Sequence, residues 1–334
     1  MLTYVLRRLF FTVFIIFGVA VVVFFMANAL PTDPAVAALG VGANQEMIDA
    51  MREELGLDEP TLVRFVEYLG RLVRGDFGRS IVTDRPVMTD LLERYPNTIE
   101  LAFLSMLLSI LVGVPLGVAS ARHARTWVDG LLRGIAISAA ALPIFWVALM
   151  LQLIFYGRLG WLPAGGRLGT AADIETVTGF LVLDSIVSGN WRAMLDVARH
   201  LVLPVVSLSG LTLATIMRMT RSSMLDVMRE PYVDTARSKG LTERTVLYRH
   251  VLRTAAIPIV TVIGLRFGHL LAGAVITESI FSWPGVGDYA VKAMLRNDYF
   301  AITAFVMTMT LFYALINLLT DISLAWLDPT VQYD

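Results

Sequence analysis

Cysteine is absent from the 334 residues, which excludes disulfides, thiolate zinc sites and iron–sulfur clusters. Lysine occurs only twice, at Lys239 and Lys292. Neither follows a glycine-rich loop, and a loop that cradles nucleotide phosphates needs a lysine at its end. Gly75-Asp76-Phe77-Gly78-Arg79-Ser80 has a superficial likeness to such a loop, with the wrong spacing and no lysine. The chain is therefore not expected to hydrolyse ATP. The four histidines (His123, His200, His250 and His269) are scattered without metal-binding spacing, and the sequence contains no HExxH and no GxSxG. A hydrolytic enzyme is disfavoured, and no catalytic, cofactor or metal site is expected. Charge is scarce as well. Charged residues make up 16%, against about 25% in soluble domains. The net charge of −1 gives no basic field for nucleic acid.

What the chain has in excess is apolar surface, with 56% of residues hydrophobic. One water-soluble core cannot absorb that much, so lipid is expected to solvate part of it. Six runs are long and apolar enough to cross a bilayer: Leu9–Ala29, Ile99–Ala119, Leu131–Phe155, Leu201–Met217, Ile257–Thr277 and Ala301–Trp326. The first has a rival reading. Arg7 and Arg8, the apolar run and Ala27-Asn28-Ala29 resemble a cleaved signal peptide. The run exceeds the roughly 7–15 residues of a signal core, so it is read as a membrane helix.

Loop charge sets the expected orientation. Arg7 and Arg8 place the N-terminus in the cytoplasm, and Arg122 and Arg125 then fall inside. The segment Arg218–Arg253 also falls inside, with eight basic residues against four acids. The segment Pro31–Pro96 falls outside, with seven arginines against twelve acids. The expected plan is an all-α polytopic membrane protein with both termini cytoplasmic. Its parts are 1–30 (N-terminus and first helix), 31–96 (external loop), 97–326 (membrane core with a cytoplasmic loop at 218–256) and 327–334 (C-terminus). In the first external loop, Gln45–Leu55 reads as an amphipathic helix. Thr61–Val73 reads as another, with Asp58 as a plausible cap and Pro60 in its first turn. Pro163, Gly165, Gly166 and Gly169 mark turns in the second external loop, Tyr156–His200.

The stretch Tyr232-Val233-Asp234-Thr235-Ala236-Arg237-Ser238-Lys239-Gly240-Leu241 is the informative one. A helix here aligns Val233, Ala236 and Arg237 on one side, and Gly240 ends or bends it. Ala236 and Gly240, both small and four apart, would let another surface approach the backbone, as a helix docked in a partner's groove requires. A solvated connector that only enforces topology fits the spacing equally well.

Asp234-Thr235-Ala236, three residues and then Gly240 resembles the EAA loop of ABC importer permeases, with Asp234 where that family usually has Glu. Pro258, 18 residues after Gly240, is similar to the peptide and nickel branch. Arg218-Met219-Thr220-Arg221, Thr261-Val262-Ile263-Gly264-Leu265 and Thr277-Glu278-Ser279-Ile280-Phe281-Ser282-Trp283-Pro284-Gly285 look like the dipeptide permeases. So do Pro31…Asp33-Pro34, Gly75-Asp76-Phe77-Gly78 and Arg85-Pro86-Val87. The resemblance implies six transmembrane helices in the type I importer fold and a heterodimer with a second permease. It also implies two ATPase subunits that carry ATP and Mg, and a periplasmic or lipid-anchored solute-binding protein. Carried over, Asp234, Ala236 and Gly240 would lie at the ATPase contact, with Tyr232, Thr235, Arg237 and Lys239 beside them. Short peptides are the implied cargo, with nickel, glutathione or an opine as near alternatives. A stand-alone channel or secondary transporter is the rival from another class.

Three further groups are singled out. Arg266, mid-way along the fifth span, must face protein or water. It either meets the carboxylate of a passing peptide or, the preferred reading, pairs with Asp321 or with the partner permease. His269, at i+3, is expected to be a packed polar residue. Phe281, Trp283, Pro284 and Gly285 are expected to form a turn at the membrane surface with the aromatics in the interfacial belt. Gly113, Gly117, Gly264, Gly268 and Ala272 are expected at close helix–helix contacts.

Overall fold

The computed structural model describes residues 2–29, 34–39, 44–54, 56–169, 174 and 176–327. Expectations resting on Pro31, Asp33, Leu55 and 328–334 lie outside them. Among the described residues, regular structure is helical, apart from one isolated antiparallel bridge between Arg79 and Pro86. In chain order the helices are α1 (Leu2–Ala29), α2 (Pro34–Leu39), α3 (Gln45–Glu54), α4 (Thr61–Val73), α5 (Val87–Arg122) and α6 (Trp127–Ala141). They continue with α7 (Ile144–Leu151, prolonged as a π-helix over Gln152–Arg158), α8 (Leu181–Val187), α9 (Trp191–Val227) and α10 (Pro231–Ser238). The last are α11 (Glu243–Thr245), which a π-turn over Val246–Val251 joins to α12 (Leu252–Ile280), then α13 (Val286–Leu295) and α14 (Tyr299–Leu327).

The six apolar runs are helical, but the third is not one straight span. Among the described residues, four stretches are long and apolar enough to cross a membrane unbroken: Val87–Arg122, Trp191–Val227, Glu243–Ile280 and Tyr299–Ile322. The third run is split into Trp127–Ala141 and Ile144–Arg158, which meet at 99°. Proline explains the break. Leu142 takes an extended ψ of 130° ahead of Pro143, as residues before proline do, and Pro143 has no N–H to continue the ladder. The first run lies on one unbroken helix, α1, whose apolar stretch includes Phe10–Met26. The fourth run is longer than expected at its start. Asn190 caps α9 by accepting the Ala193 N–H at 3.1 Å, well before the apolar part begins.

The chain clusters into two compact units. The first comprises Met1–Pro96 and Pro284–Ala314. Its polar core is Asp298, wholly buried, which caps α14 by accepting from Ala301 N (3.1 Å) and also receives Ser80 Oγ (2.5 Å) and Val82 N (3.2 Å). The Gly75-Asp76-Phe77-Gly78 motif is a turn. Gly75 and Gly78 have φ of +72° and +80°, and a Cβ on Gly78 would strike the Phe300 ring.

The second unit comprises Asn97–Trp283 and Leu315–Asp334. Small residues let its helices touch, as expected. A Cβ on Gly117 of α5 would lie 2.5 Å from Thr220 Cβ and 2.7 Å from the Met217 carbonyl oxygen of α9. A Cβ on Gly264 of α12 would collide with Thr320 of α14. Gly130, by contrast, has nothing within 4 Å of an added Cβ. Gly117→Leu is thus expected to lower stability by about 1–3 kcal/mol through overpacking. Gly130→Leu is expected to leave it unchanged. Thermal unfolding of the two purified variants in detergent checks this, and equal melting temperatures would refute the close α5–α9 contact.

Candidate functional site

The segment between α9 and α12 is built from local rules. α9 ends in a tight turn, with Met228 N donating to Met224 O at 2.8 Å and Glu230 N to Val227 O at 3.0 Å. Pro231 then opens α10 at its first position, where its missing N–H costs nothing and its φ is preset. Gly240 stops α10 by entering the left-handed region at φ +77°, and its N–H reaches Arg237 O at 2.9 Å. Thr242 starts α11 by accepting the Thr245 N–H.

Two side chains fasten this segment to the protein. Val233 and Ala236 are buried in one apolar cluster with Val118, Ala121, Met224, Val246 and Leu247. That cluster joins α10 to the ends of α5, α9 and α12. The spacing predicts Ala236 on an open docking face with Gly240. It instead faces the protein's own core, 7% exposed, because the helical stripe through Val233 points it there. The outward face carries Tyr232, Asp234, Thr235, Lys239, Gly240 and Leu241, all exposed. Arg237 is already occupied. It donates to Glu243 Oε1 (3.1 Å) and Oε2 (3.4 Å) and to Asp234 Oδ1 (3.3 Å). The Glu243 hydrogen bond, with Asp234 behind it, holds the guanidinium pKa above its ordinary value. Lys239 has no ion pair among the described residues and is a cation left available to a partner.

Behind this segment lies a clamp that sequence patterns do not single out. The Asp129 carboxylate accepts from Arg221 Nε (2.7 Å), Arg221 Nη2 (2.6 Å), Ser120 Oγ (2.6 Å) and Arg125 N (3.2 Å). One buried carboxylate thus ties the end of α5, the following turn, the start of α6 and α9. Arg221 stands in a recognised motif, but its partner is 92 residues away, and no local pattern pairs them.

Phe281 and Trp283 depart from expectation. Both are 0% exposed and do not line a membrane surface. Trp283 Nε1 donates to the Asn97 carbonyl at 3.0 Å, and the Arg167 guanidinium lies over the indole at 5.4 Å. Arg167 in turn pairs with Glu100 at 2.6 Å. A full hydrogen-bond complement lets the indole sit inside, where an interfacial position would leave it half wet. Pro284 is half-buried and Gly285 buried.

Residues 113–333 match the family model for the binding-protein-dependent transport system inner membrane component, and residues 1–102 match its N-terminal counterpart. The chain belongs to this family. It is 40% identical to the dipeptide transport system permease protein DppB of Alkalihalophilus pseudofirmus, over 100% of both chains. It is 37% identical to the glutathione transport system permease protein GsiC of Salmonella typhimurium, again over 100% of both. Among solved structures, the inward-facing MetNI methionine ABC transporter superposes with a TM-score of 0.55 at 14% identity, covering 72% of this chain and 98% of that one. The fold is therefore that of a type I ABC importer permease, and the chain is a multi-pass membrane transport subunit whose ATPase is a separate polypeptide.

The remaining singled-out residues of the permease lie on α12 and α14. Arg266 is half-buried and makes no ion pair or hydrogen bond among the described residues, so the Arg266–Asp321 pair is not formed within this chain. His269 is exposed on the surface of α12 and is not packed. Asp321 lies on α14 beside Thr320, the residue against which Gly264 packs.

The Asp129 clamp yields a direct test. Asp129→Ala strands the Arg221 guanidinium and is expected to cost about 3 kcal/mol, the usual penalty for breaking a buried ion pair from one side. Lys239→Ala, on the exposed face, is expected to be neutral. Melting of the detergent-solubilised permease decides it, and an unshifted Asp129→Ala variant would show that the clamp contributes no stability.

Proposed function

We propose that this permease forms half of the passage for ATP-driven uptake of short peptides. It would act with a second, homologous permease, two ATPase subunits that bind ATP and Mg, and a periplasmic or lipid-anchored solute-binding protein. The observation that carries the reading is the α10–α11 segment. It is a short helix whose inner face is welded to three membrane helices and whose outer face is open. A push on Tyr232, Lys239, Gly240 or Leu241 moves Val233 and Ala236, and these sit among residues of α5, α9 and α12. An ATPase that closes on ATP would thereby turn the helices of the passage as one body. A channel needs no such rigid attachment. The loop-charge bias supports both termini, the 218–256 loop and the C-terminal 327–334 on the cytoplasmic side, with 31–96 outside. The dipeptide relative supports peptide as cargo, and the glutathione relative supports a modified tripeptide as the second reading.

Uptake of labelled dipeptides and of glutathione, by cells expressing all subunits, tests this. Gly240→Arg is expected to lower uptake more than tenfold at equal membrane level, because the outer face is blocked. Gly240→Asn tolerates the positive φ and is expected to retain uptake, which separates blocking from the roughly 1–2 kcal/mol of backbone strain. Unchanged uptake in Gly240→Arg would remove α10–α11 from the coupling path. Transport of neither solute by the wild type would remove peptide as the cargo class.

Arg266 and His269, one turn apart on α12, complete the proposal. A cation at that depth must meet protein or water. With no ion-pair partner among the described residues, Arg266 is assigned to the wall of the passage, where it meets the carboxylate of a passing peptide. Arg266→Gln is then expected to reduce peptide uptake severalfold while membrane level and melting stay constant. A matched fall in membrane level would instead mark Arg266 as an assembly residue.

A further inference from the structure

Helix α4 lies outside every role assigned so far. Leu62, Val66, Leu69 and Val73 recur at i, i+4, i+7 and i+11, one straight stripe on the helix. Leu62, Val66 and Val73 are 77%, 67% and 85% exposed, and no described element of this chain covers them. The adjoining side of α4 is packed. Phe65 meets Phe24 (5.1 Å between ring centroids) and Phe17 (6.3 Å) of α1 edge to face and stacks on Phe25 (6.4 Å). Tyr68 lies 5.6 Å from Phe24. These α1 residues belong to its apolar stretch Phe10–Met26, whose outward side chains Phe10, Phe14 and Met26 are also exposed. Helix α4 thus packs one side on the apolar stretch of α1 and leaves the adjoining apolar stripe uncovered.

A partly open cavity of about 80 Å³ lies alongside, on the polar flank of α4. Arg64, Glu67, Tyr68, Arg71, Asp76 and Tyr299 line it. The Tyr68 hydroxyl is buried with no hydrogen-bond partner. Burial, with Tyr299 adding to it, pushes its pKa well up, so it remains a protonated donor. Arg64 and Arg71 have no ion pair among the described residues. Of the two acids, Asp76 already accepts from Gly78 N at 3.0 Å. Two guanidiniums and an unsatisfied hydroxyl, lining one cavity beside an uncovered apolar stripe, suit a phosphate that arrives with acyl chains. Glu67 and Asp76 would repel a lone phosphate, but a headgroup that also carries an ammonium satisfies them.

We propose that α4 lies in the plane of the bilayer interface and binds an ethanolamine phospholipid, with Leu62, Val66, Leu69 and Val73 among acyl chains and the phosphate on Arg64, Arg71 and Tyr68. This stands independently of the cargo. The cysteine-free sequence makes the test direct. Leu62→Cys, Val66→Cys, Val73→Cys and Glu67→Cys are each spin-labelled in the full permease, assembled with cysteine-free partner subunits in lipid nanodiscs. Oxygen is expected to relax the labels at 62, 66 and 73 more than a water-soluble nickel chelate does, with the reverse at 67, on the opposite flank of the helix. Equal access of the chelate at 66 and 67 would place the stripe in water. Exclusion of both reagents at 66 would place it against a partner protein. Either result overturns the bilayer placement. For the headgroup, phosphatidylethanolamine retained through detergent washing is expected to fall at least threefold in Arg64→Gln/Arg71→Gln and to be unchanged in Arg296→Gln. Equal retention in the double variant, retention of phosphatidylcholine as strong as that of phosphatidylethanolamine, or displacement by inorganic phosphate alone overturns the site. The cysteine series keeps both arginines, so it decides the placement even where the double variant assembles poorly.

Discussion

Hydrocarbon offers the peptide backbone no hydrogen bonds, so each segment that crosses it must satisfy its own N–H and C=O groups. The long helices α5, α9, α12 and α14 meet that demand directly. Where the ladder is interrupted, at Leu142-Pro143, the chain turns by 99° and does not run on as one straight span. The same constraint governs the side chains. Helices that cannot rely on water to drive them together gain contact by removing side-chain bulk, and Gly113 and Gly117 of α5 bring it against α9 in this way.

Charge is then confined to places where it can be answered. Asp129 is held by Arg221, Ser120 and a backbone amide, and Arg167 is held by Glu100 and the Trp283 face. Such pairs add less to net stability than their Coulomb energy suggests, since both partners were well solvated beforehand. Their value lies in position. Asp129 fixes the ends of α5, α6 and α9 next to the apolar cluster that carries α10. The α10–α11 segment therefore rests on a floor of packed apolar side chains braced by a buried ion pair.

Much of this was legible in residue order. The six apolar runs, the helices at Gln45 and Thr61, the end of α10 at Gly240 and the small-residue contacts follow from periodicity and from the backbone preferences of glycine and proline. The inward turn of Ala236 was not legible, although Val233 and Ala236 share a helical stripe. An eight-residue helix has two faces, and only the presence of Met224, Val246 and Leu247 decides which one is covered. Phe281 and Trp283 misled for a similar reason. Aromatics beside a Pro-Gly turn at the end of a span suit an interfacial belt, unless a distant carbonyl such as that of Asn97 takes the indole N–H.

The sequence by itself determined that this protein lives in a membrane, has no nucleotide or metal motif of its own and carries a short helix ended by Gly240 in its central polar loop. Hydropathy, missing motifs and local backbone rules are properties of neighbouring residues. Tertiary structure alone decided which charges are answered within the chain, which face of α10 remains open and which stripe of α4 is left uncovered. Those outcomes depend on groups far apart in sequence, and their energies exist only once the helices have packed.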